Sequence, residues 1–88
     1  MAISTGQMTI GQTAQQIDGT SNQPYKLHVN NNSNTLALYI GGSDSVTTSN
    51  GLRLSANDSM EMMLNPYETL WVISSSNNHD ISWLKQVY

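Results

Sequence analysis

Tyr25-Lys26-Leu27-His28-Val29 runs into Asn30-Asn31-Asn32-Ser33-Asn34 and then into Thr35-Leu36-Ala37-Leu38-Tyr39-Ile40. In the first run Tyr25, Leu27 and Val29 alternate with Lys26 and His28. This period of two places apolar groups on one face of a β-strand. The asparagine cluster reads as a loop, because asparagine tolerates left-handed geometry and bonds its own backbone. The last run alternates again, with Leu36, Leu38 and Ile40 inward and Ala37 and Tyr39 outward. Strand, polar turn, strand is the unit from which an antiparallel fold is built.

The same grammar extends in both directions. Toward the N-terminus, Met8–Ile10 is a weak strand, Thr13–Ile17 a second run, and Asp18-Gly19 a turn. Beyond Ile40, GGSDSVTTSNG (Gly41–Gly51) is a long polar loop with a short extended piece expected at Ser45–Thr48. Asn50-Gly51 is a strong turn signal. Leu52 and Leu54 make a brief strand, and Ala56-Asn57-Asp58 turns the chain. In Ser59–Leu64, Asp58 and Glu61 imitate a helix capping box. Asn65-Pro66 ends the run after six residues, however, and the alternation of Met60, Met62 and Leu64 predicts a strand. Thr69–Ser74 and Asp80–Val87 are further strands, separated by Ser74-Ser75-Ser76-Asn77-Asn78. The sum is an all-β chain of seven to eight short strands, in one antiparallel sandwich or small barrel. Residues 1–88 are read as a single domain, with 1–7 as an extended N-terminal arm.

Composition narrows the class of function. A chain of 88 residues has a modest core, and with no cysteine it has no disulfides or thiolate metal sites. His28 and His79 alone cannot make a structural zinc site. Oligomerisation is then the expected supplement to stability. Charged residues are 10% of the chain, against ~25% in ordinary soluble domains. Neutral polar side chains lower repulsion between identical subunits, which favours a protein packed against neighbours. Lys26, Arg53 and Lys85 are the only cations in a net charge of −3. They are too few and scattered for a phosphate-binding patch, so no nucleic-acid partner is expected. No apolar run approaches the ~20 residues of a membrane-spanning helix, and no membrane partner is expected. MAISTGQ lacks the basic and apolar regions of a signal peptide, so synthesis without an export signal is expected.

No constellation for chemistry emerges. Asp18, Asp44, Asp58, Glu61, Glu68 and Asp80 sit mostly in turns, where Asp is favoured for backbone bonding. His79-Asp80 are adjacent, and adjacent strand residues point to opposite faces, a poor start for a catalytic dyad. Gly41-Gly42 and Gly51 lack the following helix that a phosphate-binding loop requires. Ser43-Asp44-Ser45 lacks an EF-hand pattern. Asn31-Asn32-Ser33 and Asn57-Asp58-Ser59 match a glycosylation sequon, which carries little without a signal peptide. No catalytic residue, no metal and no cofactor is therefore expected. The remaining feature is a second apolar face. If Leu36, Leu38, Met60, Met62, Leu70 and Val72 line the core, Tyr39, Met63, Trp71 and Ile73 point away from it. Exposed together they form an interface patch; in a closed sandwich, loops or the N-terminal segment cover them.

Three stretches carry a resemblance: Met8-Thr9-Ile10-Gly11-Gln12-Thr13-Ala14-Gln15-Gln16-Ile17; Tyr39-Ile40-Gly41-Gly42 with Val46-Thr47-Thr48-Ser49-Asn50-Gly51 and Leu54; and Leu70-Trp71-Val72-Ile73. In order and spacing the series resembles small β-sandwich virion proteins of tailed bacteriophages, including capsid decoration (cement) and head-fibre-like proteins. Ser43-Asp44-Ser45 and the doubled glycine depart from the family's central loop. The resemblance implies a non-enzymatic virion protein, assembled in the host cytoplasm and sitting on the capsid surface. Its implied partners are the major capsid protein and further copies of itself, often as a trimer. A receptor- or carbohydrate-binding module of a tail, neck or fibre is the alternative, with the aromatic residues as a sugar platform. On this reading Ile3 and Met8 belong to an arm onto the capsid. Tyr39, Met63, Trp71 and Ile73 form the subunit interface.

Overall fold

The computed structural model describes residues 2–17 and 21–88, with Ala2 in its backbone alone. The turn expected at Asp18-Gly19 lies outside the described residues. The strands are β1 (Ala2–Ile10), β2 (Gln15–Gln16), β3 (Tyr25–Asn31), β4 (Leu38–Gly41), β5 (Leu52–Leu54), β6 (Ser59–Leu64), β7 (Trp71–Ser74) and β8 (His79–Val87). They form two four-stranded antiparallel sheets, ordered β1-β8-β3-β6 and β2-β7-β4-β5. This is a β-sandwich. Each sheet alternates strands from distant parts of the chain, the order of an eight-stranded jelly roll.

The decisive alternation holds. Along β3, residues alternate between buried and half-buried throughout, and Tyr25, Leu27 and Val29 are each 1% exposed or less. They meet Ile10, Ile81 and Leu64 of their own sheet and Ile17, Leu38, Ile40, Leu54, Leu70 and Val72 from the other. Residues 2–7, expected as an arm, lie within β1 and pair residue for residue with β8, from Ala2↔Val87 onward. Ser59–Leu64 is a strand, hydrogen-bonded to β3.

Several boundaries differ from expectation for local reasons. β3 continues into the asparagine cluster as far as Asn31, whose side chain turns inward. Its Nδ2 donates to the carbonyls of Leu36, Leu54 and Ser55 at 2.9, 3.1 and 3.1 Å. β4 begins at Leu38 rather than Thr35. The Ser33 hydroxyl accepts from the N–H groups of Thr35 and Leu36 at 3.2 and 2.9 Å, holding them in a turn. Ser45–Thr48 forms no strand: Ser45 and Thr48 lie in turns, with Val46 and Thr47 irregular between them. Met62 faces inward opposite Leu27, yet it is 40% exposed because β6 is an edge strand.

Gly6 shows how closely the faces are filled. It lies opposite Trp83, and a Cβ on it would stand 2.6 Å from the indole Cζ2. The ring occupies the space that a side chain would take, and its cross-strand position leaves it packed against the core. Gly6→Ala forces the ring off its seat. A loss of about 1–3 kcal/mol is expected from such overpacking, read as a lower denaturant midpoint with an unchanged slope.

Candidate functional site

Two outer faces carry the residues singled out from sequence. On the β2-β7-β4-β5 sheet, Leu38 and Ile40 point inward, so Tyr39 and Gly41 point out. The register puts Tyr39 opposite Ile73, and Gly41 opposite Trp71. Tyr39, Trp71 and Ile73 are therefore neighbours on one face, each half-buried.

What half-buries them is the loop between β4 and β5. Val46, at its centre, is 5% exposed yet stands apart from the main core. A Cβ on Gly41 would lie 2.7 Å from the Val46 Cβ, and one on Gly51 would lie 2.9 Å from the Tyr39 Cβ. Both glycines are thus needed for close approach. Among the described residues no glycine has positive φ, so the Asn50-Gly51 signal has its physical origin in space rather than in turn handedness. The loop braces itself. Asn50 Oδ1 accepts from the Thr47 N–H at 2.7 Å, the Gly51 N–H donates to the Thr47 carbonyl at 2.9 Å, and the Ser43 and Ser45 hydroxyls are 2.7 Å apart. Tyr39, Trp71 and Ile73 make a half-buried apolar row on a stiff support, with Val46 buried against Gly41 and Gly51 in the loop beside it.

Met63 is not part of that strip. β6 belongs to the other sheet, where Met63 lies opposite Lys26, Lys26 opposite Gln86, and Gln86 opposite Ile3. Ile3 and Met63 therefore end one row across the opposite outer face, 64% and 55% exposed. Strand parity says which residues share a face of a strand; it does not say which sheet the strand joins. The next row holds Thr5, Leu84, His28 and Glu61. Glu61 lies 3.5 Å from Lys26 Nζ and 3.6 Å from His28 Nδ1. The Glu61 carboxylate, helped by Tyr88, raises the Lys26 pKa. Such exposed pairs contribute little to stability. Met8 points the other way, opposite Ile81 and against the core.

One polar cluster escaped the sequence reading. His79 faces inward and Asp80 outward, where it accepts from Thr9 Oγ1 at 3.0 Å. The His79 ring instead joins Ser74 and Asn31, at 2.6 Å from Nδ1 to Ser74 Oγ and 2.7 Å from Nε2 to Asn31 Oδ1. Because Asn31 Nδ2 faces three carbonyls, Oδ1 is the acceptor and Nε2–H the donor. Nδ1 then accepts from the Ser74 hydroxyl. Hydroxyl, imidazole and amide have the connectivity of a nucleophile, base and orienter. Their exposures of 1%, 1% and 0% keep substrate out, and the cluster serves as a brace between the sheets. No signal short of knowing the pairing of β3, β7 and β8 could have joined them. Among the described residues no three His, Asp or Glu side chains converge on a possible metal position.

No family model matches the sequence, and no curated protein is similar to it in sequence. Several solved structures match it, two of them as follows. A subunit of Bacillus endospore appendages, which form disulfide-linked pili, superposes with a TM-score of 0.66 at 12% identity, over 98% of this chain and 85% of that one. Aeromonas hydrophila PliG, a periplasmic inhibitor of g-type lysozyme, has a TM-score of 0.42 at 10% identity, over 99% and 85%. At such identities the likeness to the appendage subunit is one of fold, and the PliG match supports no further step. With no cysteine, this chain cannot form the disulfide links of those pili.

Burial lowers the His79 pKa below its ordinary 6.5, the adjacent Asp80 opposing it. Below about pH 6.5 the unfolded chain takes up a proton that the folded ring resists, so stability falls on acidification. It is complete above that pH. Denaturant midpoints should be level from pH 8 to 7 and drop toward pH 5. His28→Asn, at an exposed ring, should keep the drop, whereas a profile that His28→Asn flattens would remove His79 as its source.

Proposed function

We propose that this chain is a non-enzymatic structural subunit of a phage virion, a capsid decoration protein that binds the outside of the shell and stabilises it. The observation that carries the reading is the strip of half-buried Tyr39, Trp71 and Ile73 on the outer face of a sheet. It is presented by a chain in which only 10% of residues are charged. Apolar surface with aromatic anchors on a rigid support is what buried interface centres are made of. Supporting contacts repeated over many copies add through valency. The sequence resemblance supplies the virion setting; the fold is compatible with it, since jelly rolls build capsid and lectin domains, although fold alone does not assign function.

A second reading is favoured by one detail. Tyr39 and Trp71 are aromatic rings on a sheet face, the kind of platform on which sugars stack. On that reading the chain is a receptor- or carbohydrate-binding module of a tail, neck or fibre.

Sedimentation with capsid shells stripped of the protein separates the two. Wild-type protein should pellet with the shells, and Trp71→Ser should weaken binding at least about tenfold, as loss of a central aromatic anchor does. Failure to pellet, with tryptophan fluorescence that saturates on addition of host polysaccharide, would transfer the function to the sugar-binding reading. Trp71→Ser that pellets like wild type would remove the strip from the interface.

A further inference from the structure

The sandwich has four edge strands, and they are unequal. β2 is two residues long and β5 three, with Arg53 at its centre. β6 has six residues and carries Glu61 beside Lys26. β1 is nine residues long, AISTGQMTI, with no charged residue and no proline. Its register with β8 advances one for one from Ala2↔Val87 to Ile10↔His79, without a bulge. Among the described residues, no strand lies beside its free row of N–H and C=O groups in the sheet. Natural edges are blunted by lysine, proline, bulges or short length. β1 has none of these devices, while the other three edges each have at least one: shortness, charge or both.

We infer that β1 is a pairing edge for a second copy of this chain, joined antiparallel about a two-fold axis at Gly6 to make one eight-stranded sheet. The inference deepens the proposed assembly role and rests on it. A second copy is the occupant because the strand is complementary to itself. In this register all nine residues pair. Thr5 faces Gln7 and Ile3 faces Thr9 on the outer side; Ser4 faces Met8 on the inner side. No like charges meet, and like charges opposite one another are what a sheet must avoid. At the axis Gly6 faces Gly6, so no side chains collide where the Trp83 ring already covers the strand. A charged peptide would gain nothing from a neutral edge. The contact is isologous, each copy offering the same patch. It is two-fold, unlike the trimer implied by the sequence resemblance.

Thr5 and Gln7 point outward, away from the core, so charges there disturb the fold little. Thr5→Lys/Gln7→Lys places like charges opposite each other twice across the axis, whereas Thr5→Lys/Gln7→Glu places opposite charges there. Light scattering at about 100 µM should give a dimeric mass for wild type, a monomer for the first variant and a dimer for the second. Circular dichroism and thermal unfolding confirm that both variants fold. A monomeric wild type overturns the inference, as does a folded Thr5→Lys/Gln7→Lys variant that remains a dimer. Shell sedimentation reads the proposed function separately: wild-type protein that decorates shells as a monomer overturns the edge pairing and leaves that function standing. A dimer that ignores shells supports the pairing and removes the function.

Discussion

β8 is paired along both of its sides, to β1 from His79 to Val87 and to β3 from Ile81 to Val87. The rest of the larger sheet hangs on that strand, since β6 joins only through β3. β1 and β8 are far apart in the chain, so the sheet cannot close before distant segments meet. Such non-local pairing costs loop-closure entropy before its contacts repay it. Its inner residues Ile81, Trp83 and Val87 contribute to the core in return. His79, at its start, ties the sheet to the other one.

That tie explains how an 88-residue chain without cysteine holds two sheets in register. Apolar burial is non-directional and would tolerate sliding of one sheet over the other. The Ser74–His79–Asn31 cluster is directional. His79 and Asn31 come from the larger sheet and Ser74 from the smaller, and Asn31 also binds the carbonyls of Leu54, the last residue of β5, and of Ser55 after it. No buried side-chain polar atom among the described residues is left without a partner. A fully satisfied network of this kind rigidifies a core and selects one arrangement, whereas a half-satisfied one would cost more than it contributed.

Alternation made most of the fold legible, because a half-buried strand writes its burial directly into a period of two. Tyr25–Val29, Leu38–Ile40, Leu70–Val72 and the strand nature of Ser59–Leu64 follow from it. What alternation cannot carry is partnership between strands. Tyr39, Trp71 and Ile73 were grouped correctly because β4 and β7 pair, and Met63 was not because β6 joins the other sheet. The long extent of β1 was also hidden. Ser4-Thr5-Gly6-Gln7 has too few apolar residues to show a period, and it is a strand because β8 holds it there. Val46 was hidden for the opposite reason: a lone apolar residue in a polar loop has no period at all. Only Gly41 and Gly51, leaving room for it, make its burial intelligible.

The histidine cluster and the apolar strip are two uses of the same economy of charge. A surface built from Asn, Ser, Thr and Gln gives the backbone many local partners, as in the self-braced β4–β5 loop. It also leaves little electrostatic repulsion to keep copies apart. Charge is the usual guard of an exposed β-edge and of an exposed apolar face. Here β1 has neither lysine nor proline, and the strip around Trp71 lies on the sheet whose edges carry Arg53 as their only cation. A chain that had to remain solitary at high concentration would be expected to spend cations at those places. Their absence is what the proposed assembly role requires, since a solvated charge would have to be stripped of water on contact. The rigid brace inside and the uncharged surfaces outside are then consistent with one another: directional polar bonds hold the chain's shape, and neutral surface is left for the proposed assembly.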